Sequence, residues 1–176
     1  MRKLSLLSFF LCLCFSCKVN QYTGKKTLNF FSNKQVFPFT FKEYKSFVTE
    51  NPPVKNTIES DQIKVIGQKI TAAAQAYFTH KGKAQFLNDY AWEYNLIHSE
   101  EKNVWCMPGG KIVFYTGILP IAKTPDGIAA IMGHEVAHAL ADHGAQRMSA
   151  NTLKTGLDFI AAKAPKNSQK KNVKKS

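Results

Sequence analysis

A chain of 176 residues has room for one domain with appendages, and an apolar content of 44% suffices for a core of ordinary size. The formal charge of +12 belongs mainly to the ends, because six lysines occupy the last fourteen positions without an acid, and Arg2 and Lys3 open the chain. The remainder carries sixteen basic residues against twelve acidic ones, too small an excess to mark a nucleic-acid surface.

Residues 1–17 combine the basic pair with an apolar run from Leu4 to Phe15, the pattern of a secretory signal and too short for a comfortable transmembrane helix. The run ends at Ser16-Cys17, similar to the lipobox of bacterial lipoproteins, although Cys14 stands where leucine is preferred. Cys17 is therefore the expected lipidation site. Lipid anchoring to a bacterial envelope membrane, facing the periplasm, is the expected location, and an ordinary cleaved signal or an uncleaved anchor is the competing reading. Cys12, Cys14 and Cys17 all fall in this segment and leave Cys106 alone in the body, which excludes the disulfide framework of a small secreted domain.

Residues 18–56 form an N-terminal segment with turn signals at Thr23-Gly24 and Asn51-Pro52-Pro53. Its six phenylalanines between Phe30 and Phe47 are too many for a free linker, so the segment is expected to pack on the domain, with a short helix over 41–50. The domain proper is expected over 57–162. Ser60 can cap a helix reaching Thr79, whose Ile63, Ile66, Ile70, Ala73, Ala74 and Tyr77 recur at helical spacing and mark a buried stripe. Alternation predicts a strand over 92–97, a second extended stretch over 103–107, and a third strand over 111–116 after the Pro108-Gly109-Gly110 turn. The last two make a hairpin. Trp92 and Trp105 are expected in the core and His80 and His98 in solvent. Cys106 reads as a small core residue rather than a nucleophile.

Thr124-Pro125-Asp126 is a strong helix start, and the helix is expected to run to about Gly144. It carries Gly133-His134-Glu135-Val136-Ala137-His138. Residues four apart share a helix face, so both imidazoles can converge on one metal at roughly 2.0–2.1 Å. Glu135 follows His134 by about 100° and can reach a metal-bound water without being a ligand. On a continuous wheel Ile128, Met132, Val136 and Leu140 share one side, alanines and Gly133 fill the next, and His134, Glu135, His138 and Asp142 keep a sector of about 100°. Such a helix is expected to be buried, with a metal as the partner of its ionisable face. On the same wheel His143 lies nearly opposite His134. A further helix over 147–162 and a disordered basic tail over 163–176 complete the chain.

These motifs together resemble metallopeptidase family forty-eight, the His-Glu-x-x-His zinc peptidases that include the CAAX prenyl protease and the heat-shock membrane protease. The resemblance is carried by Tyr22-Thr23-Gly24-Lys25-Lys26-Thr27-Leu28-Asn29, by Pro108-Gly109-Gly110-Lys111-Ile112 with Tyr115-Thr116-Gly117, and by the zinc motif continuing into Asp142-His143-Gly144 and Arg147-Met148. It extends over roughly Cys17 to Thr155 and is closest in pattern to the periplasmic lipoprotein branch. It implies an α+β, zincin-like fold, with helices around a small sheet or hairpin. It also implies one zinc ion held by His134 and His138, with Glu135 as general base and acid in peptide-bond hydrolysis. The strand Lys111, Ile112, Val113, Phe114 and Tyr115 would hold a protein or peptide substrate extended. Expected substrates are unfolded or membrane-associated envelope proteins. The family's third zinc ligand is a later glutamate, and no glutamate follows Glu135 here; Asp142 and Asp158 are the later acids. The chain is accordingly expected to be truncated before that ligand, or to be a degenerate member that binds extended peptides without cutting them.

Overall fold

The computed structural model describes residues 17–163. The signal-like segment and most of the basic tail lie outside the described residues, as do the side chains of Cys17 and Asp158. The architecture is α+β. Strands β1 (Cys17–Val19) and β2 (Lys26–Leu28) form an antiparallel hairpin. Helices α1 (Asn33–Glu50) and α2 (Ile58–His80) follow, then β3 (Glu93–Ile97), β4 (Val104–Met107) and β5 (Lys111–Tyr115). A short helix α3 (Leu119–Ala122) leads into α4 (Pro125–Leu140) and α5 (His143–Lys163).

Several boundaries differ from expectation for local reasons. Helix α1 starts eight residues early because the Gln35 side chain takes the Ser32 N–H at 2.9 Å and caps a turn ahead of Pro38. Pro38 cannot donate to the Lys34 carbonyl, yet so near the helix start it interrupts only one intrahelical bond. In α2 the cap is Thr57, whose Oγ1 accepts the Ser60 N–H while Ser60 Oγ accepts the Thr57 N–H in return. Ser60 is thus the reciprocal partner of the box and not the cap itself. The buried stripe of α2 contains Ile63 and Phe78, whereas Tyr77, assigned to it from spacing, is 44% exposed.

The three-stranded sheet has the order β3-β5-β4, with β5 parallel to β3 and antiparallel to β4. The turn between β4 and β5 needs both glycines. Gly109 and Gly110 have φ of +88° and +90°, and a β-carbon on either would press into the Phe41 or Trp92 ring. This close approach seats α1 against the turn, reinforced by the Thr40 hydroxyl donating to the Pro108 carbonyl. Lys111 is 5% exposed, is paired with Glu93 one strand away at 2.5 Å, and has its ammonium over the Phe41 ring.

The main core lies between the sheet, α2 and α4. Ile63, Phe78, Ile112, Phe114 and Met132 are fully buried there. The apolar side expected for α4 is the one that packs, since Ile128, Met132, Val136 and Leu140 are all buried. A smaller cluster of Tyr44, Ile97 and Val113 closes the opposite face of the sheet with Trp105 against it. Among the described residues no helix is long and apolar enough to cross a membrane.

Candidate active site

Thr124 Oγ1 accepts the Gly127 N–H at 3.1 Å, and Pro125 in the first turn completes the start of α4. The helix ends at Leu140, four residues short of expectation. Asp142 has φ of +58°, a left-handed conformation that aspartate tolerates better than most residues, and the chain turns there directly into α5. The corner is tightly satisfied. Asn20 Nδ2 donates to the Leu140 carbonyl at 3.0 Å and to Asp142 Oδ2 at 2.9 Å, and the Gln146 amide donates to the Ala141 carbonyl. Asn20 Oδ1 in turn accepts the N–H groups of Tyr22 and Thr23. These side chains occupy carbonyls that a helix C-terminus otherwise leaves orphaned.

The corner changes the reading of His143. A helical wheel continued through residue 144 sets it opposite His134, but the break at Asp142 swings it back. His134 Nε2 and His138 Nε2 lie 2.9 Å apart, and His138 Nδ1 lies 2.5 Å from His143 Nδ1. The three imidazoles form a row with His138 in the middle, ring centroids 4.4 and 4.7 Å apart. Spacing alone could not reveal this, because the deciding feature is one backbone angle.

Two nitrogens bound at about 2.0–2.1 Å to a tetrahedral zinc stand roughly 3.3 Å apart. The Nε2 pair is close to that spacing, so His134 and His138 fit two corners of a zinc site. No group of three His, Cys, Asp or Glu side chains able to hold a metal occurs among the described residues. His143 does not supply the third donor, since it meets His138 at the ring nitrogen turned away from His134.

The ionisable face of α4 is less enclosed than expected: His134 is exposed, and Glu135 and His138 are half-buried at the wall of an open cleft of about 570 Å³. Partial burial raises the Glu135 pKa, against the lowering influence of His138, His134 and Arg147. Desolvation, then His138 and Arg147, lowers that of His143. Arg147, one turn into α5, brings a positive charge to the same cleft. Cys106 also lines it, but burial first and Glu135 second raise its thiol pKa, which keeps it protonated and unreactive. His80 and His98 are exposed, as expected, and neither lines the cleft.

The facing wall of the cleft is β4, through Val104, Trp105 and Cys106, with Asn103 and Pro108 flanking the strand and Asn33 of α1 beside it. This alters the assignment of the substrate strand. The main chain of Lys111–Tyr115 is paired on both sides, by β3 and by β4, so it has no edge to offer a peptide. The edge beside α4 belongs to β4, which pairs on one side alone among the described residues. Side chains of β5 have a structural part: Ile112, Val113 and Phe114 are fully buried, and Lys111 is pinned by Glu93.

The model of peptidase family M48 matches residues 62–175. The mitochondrial metalloendopeptidase OMA1 of Schizosaccharomyces pombe is 37% identical over 76 residues, which cover 43% of this chain and 23% of that protein. The protein of the same name from Saccharomyces cerevisiae is 36% identical over 103 residues, covering 57% of this chain and 29% of the yeast protein. The Bos taurus metalloendopeptidase OMA1, mitochondrial, is 28% identical over 74 residues, covering 42% and 14%. The chain therefore spans less than a third of the length of each of these relatives. No solved structure matches it significantly. The names of the relatives overturn the expected bacterial, periplasm-facing location and give no support to a periplasmic lipoprotein branch: these proteins are mitochondrial and come from fungi and cattle.

Proposed function

Because the chain belongs to peptidase family M48, we propose that it is a zinc-dependent metalloendopeptidase acting on unfolded protein segments bound in extended form. The observation that carries this reading is the His134–His138 Nε2 pair at near-ligand spacing, with Glu135 in the same cleft as the open edge of β4. His134 and His138, whose Nε2 atoms face each other, would hold the metal. Zinc, when bound, supplies a Lewis acid that polarises the scissile carbonyl and acidifies a water. Glu135 takes a proton from the attacking water and returns it to the leaving amine. The β4 main chain aligns the substrate by adding it as a further strand, which requires an unfolded segment.

A second reading has one observation in its favour, the lack of a third metal donor among the described residues. On that reading the cleft binds extended chains without cutting them. Purified protein separates the two through zinc stoichiometry and cleavage of a reduced, unfolded protein. The peptidase reading expects one zinc per chain and measurable cleavage, with E135Q retaining zinc but losing at least about 10²-fold in rate. No bound zinc, together with equal activity in parent and E135Q, would sink it.

A further inference from the structure

The row of three imidazoles has one member that neither the zinc pair nor the general base uses. His143 touches His138 through Nδ1, while the nitrogen of His138 that faces His134 is Nε2. The two nitrogens of one imidazole point away from each other across the ring, so His143 cannot share a metal with the Nε2 pair. It stands where an outer partner of a metal-bound histidine stands.

We propose that His143 is a positioning residue for the metal site, accepting the Nδ1–H of His138 on its own Nδ1 and so holding the His138 Nε2 lone pair toward His134. The argument is one of proton placement. Between two facing Nδ1 atoms one hydrogen is shared, and it belongs to one ring or the other. If His143 owns it, neutral His138 carries its proton on Nε2 and cannot bind a metal there. If His138 owns it, Nε2 is free to ligate and His143 keeps its proton on Nε2. The second arrangement alone is compatible with zinc on the His134 side.

The fold fixes His143 in that role by three independent contacts. Asp142 is held left-handed by the turn, and its carboxylate accepts a hydrogen bond from buried Asn20. The Gln146 N–H returns to the Asp142 carbonyl at 2.9 Å and starts α5 at once. Gly144 lies so close to the β4–β5 turn that a β-carbon there would stand 2.8 Å from the Pro108 ring. The His143 backbone is thereby clamped on both sides, which sets its exposed ring beside His138.

The inference rests on the peptidase reading for the identity of the metal, but part of its test does not. In the metal-free parent protein, the ¹⁵N spectrum of the histidine rings should show a His138–His143 hydrogen bond through Nδ1. Lack of that bond overturns the proposal whether or not the protein binds zinc. On titration with Zn²⁺ or Co²⁺ against a competing chelator, H143A should bind about 10- to 100-fold more weakly than the parent. Asparagine places an acceptor oxygen at the position of Nδ1, so H143N should recover most of that loss and retain the His138 Nδ1–H tautomer. Unchanged affinity in H143A overturns the proposal. So does an H143N protein that is folded by circular dichroism, binds as weakly as H143A and shows one imidazole fewer in its Co²⁺ spectrum, since His143 would then be a ligand. A parent that binds neither ion defeats the metal role and the peptidase reading together, while the ring spectrum still reports the contact itself.

Discussion

Glu135 shows how much of its chemistry the local surroundings decide. The carboxylate is half-buried, and the loss of water outweighs the two histidines and the arginine that favour its charge. A group with a raised pKa is ionised only above that value, so a reaction needing the carboxylate as base loses rate as pH falls through it. In the metal-free protein the Glu135 carboxyl is therefore expected to titrate, by its ¹³C NMR shift, above the ordinary glutamate range, and Arg147→Met should move it higher still. Titration at the ordinary glutamate value in both metal-free proteins would contradict this account of its surroundings. The same logic applies to stability: the ionised carboxylate costs the folded state free energy above the folded pKa and nothing below the unfolded one. E135Q should thus melt above the parent at pH 7 and level with it in acid. The motif alone singles this residue out as a candidate. Its half-exposed setting was not legible there, because the helical wheel shows which residues share a face but not whether that face meets solvent.

Elements follow the same division. Helix α4 was readable at its start, where Thr124, Pro125 and Asp126 act through local chemistry, and unreadable at its end, where a residue 120 positions away decides the matter. The three strands of the central sheet were located to within a residue or two and the glycine turn between β4 and β5 was evident, whereas the β1–β2 hairpin, three residues to a strand, was not foreseen. The order of the central strands was not evident, since alternation specifies a strand and says nothing about its neighbours. That is why Lys111 looked like part of a substrate-holding strand and turns out to be a buried tie between β5 and β3. Lys111→Ala removes the ion pair, the packing of its stem and the contact with Phe41, and should cost about 1–3 kcal/mol in denaturant unfolding. Since Glu93 can rehydrate, KM for a peptide should hardly change at a temperature where the variant is folded. A changed KM with unchanged stability would return Lys111 to the substrate site.

At the scale of the molecule, the α+β class was legible through the resemblance, and the place of the motif helix in the core through periodicity. The assembly around the motif was hidden, because it is made by Asn20, Asp142, Gln146 and Gly144 through contacts distant in sequence. Asn20 is 3% exposed and all its side-chain hydrogen-bonding atoms are engaged. Asn20→Ala leaves the Leu140 carbonyl and two loop N–H groups without their partner and should cost about 2–4 kcal/mol, with zinc affinity falling in step. A variant as stable as the parent would show that water replaces the asparagine without loss. Ser149, fully buried, adds a second tie by accepting the Phe30 N–H at 3.0 Å. The family match begins at residue 62, yet the end of the motif helix is fastened by residue 20. The unit that opens and closes cooperatively is therefore longer than the unit that sequence similarity outlines. Amide exchange makes the difference visible: the Tyr22 and Thr23 amides, in a loop near the start of the described chain, should exchange at the pace of the α4 carboxyl end rather than at that of a frayed terminus.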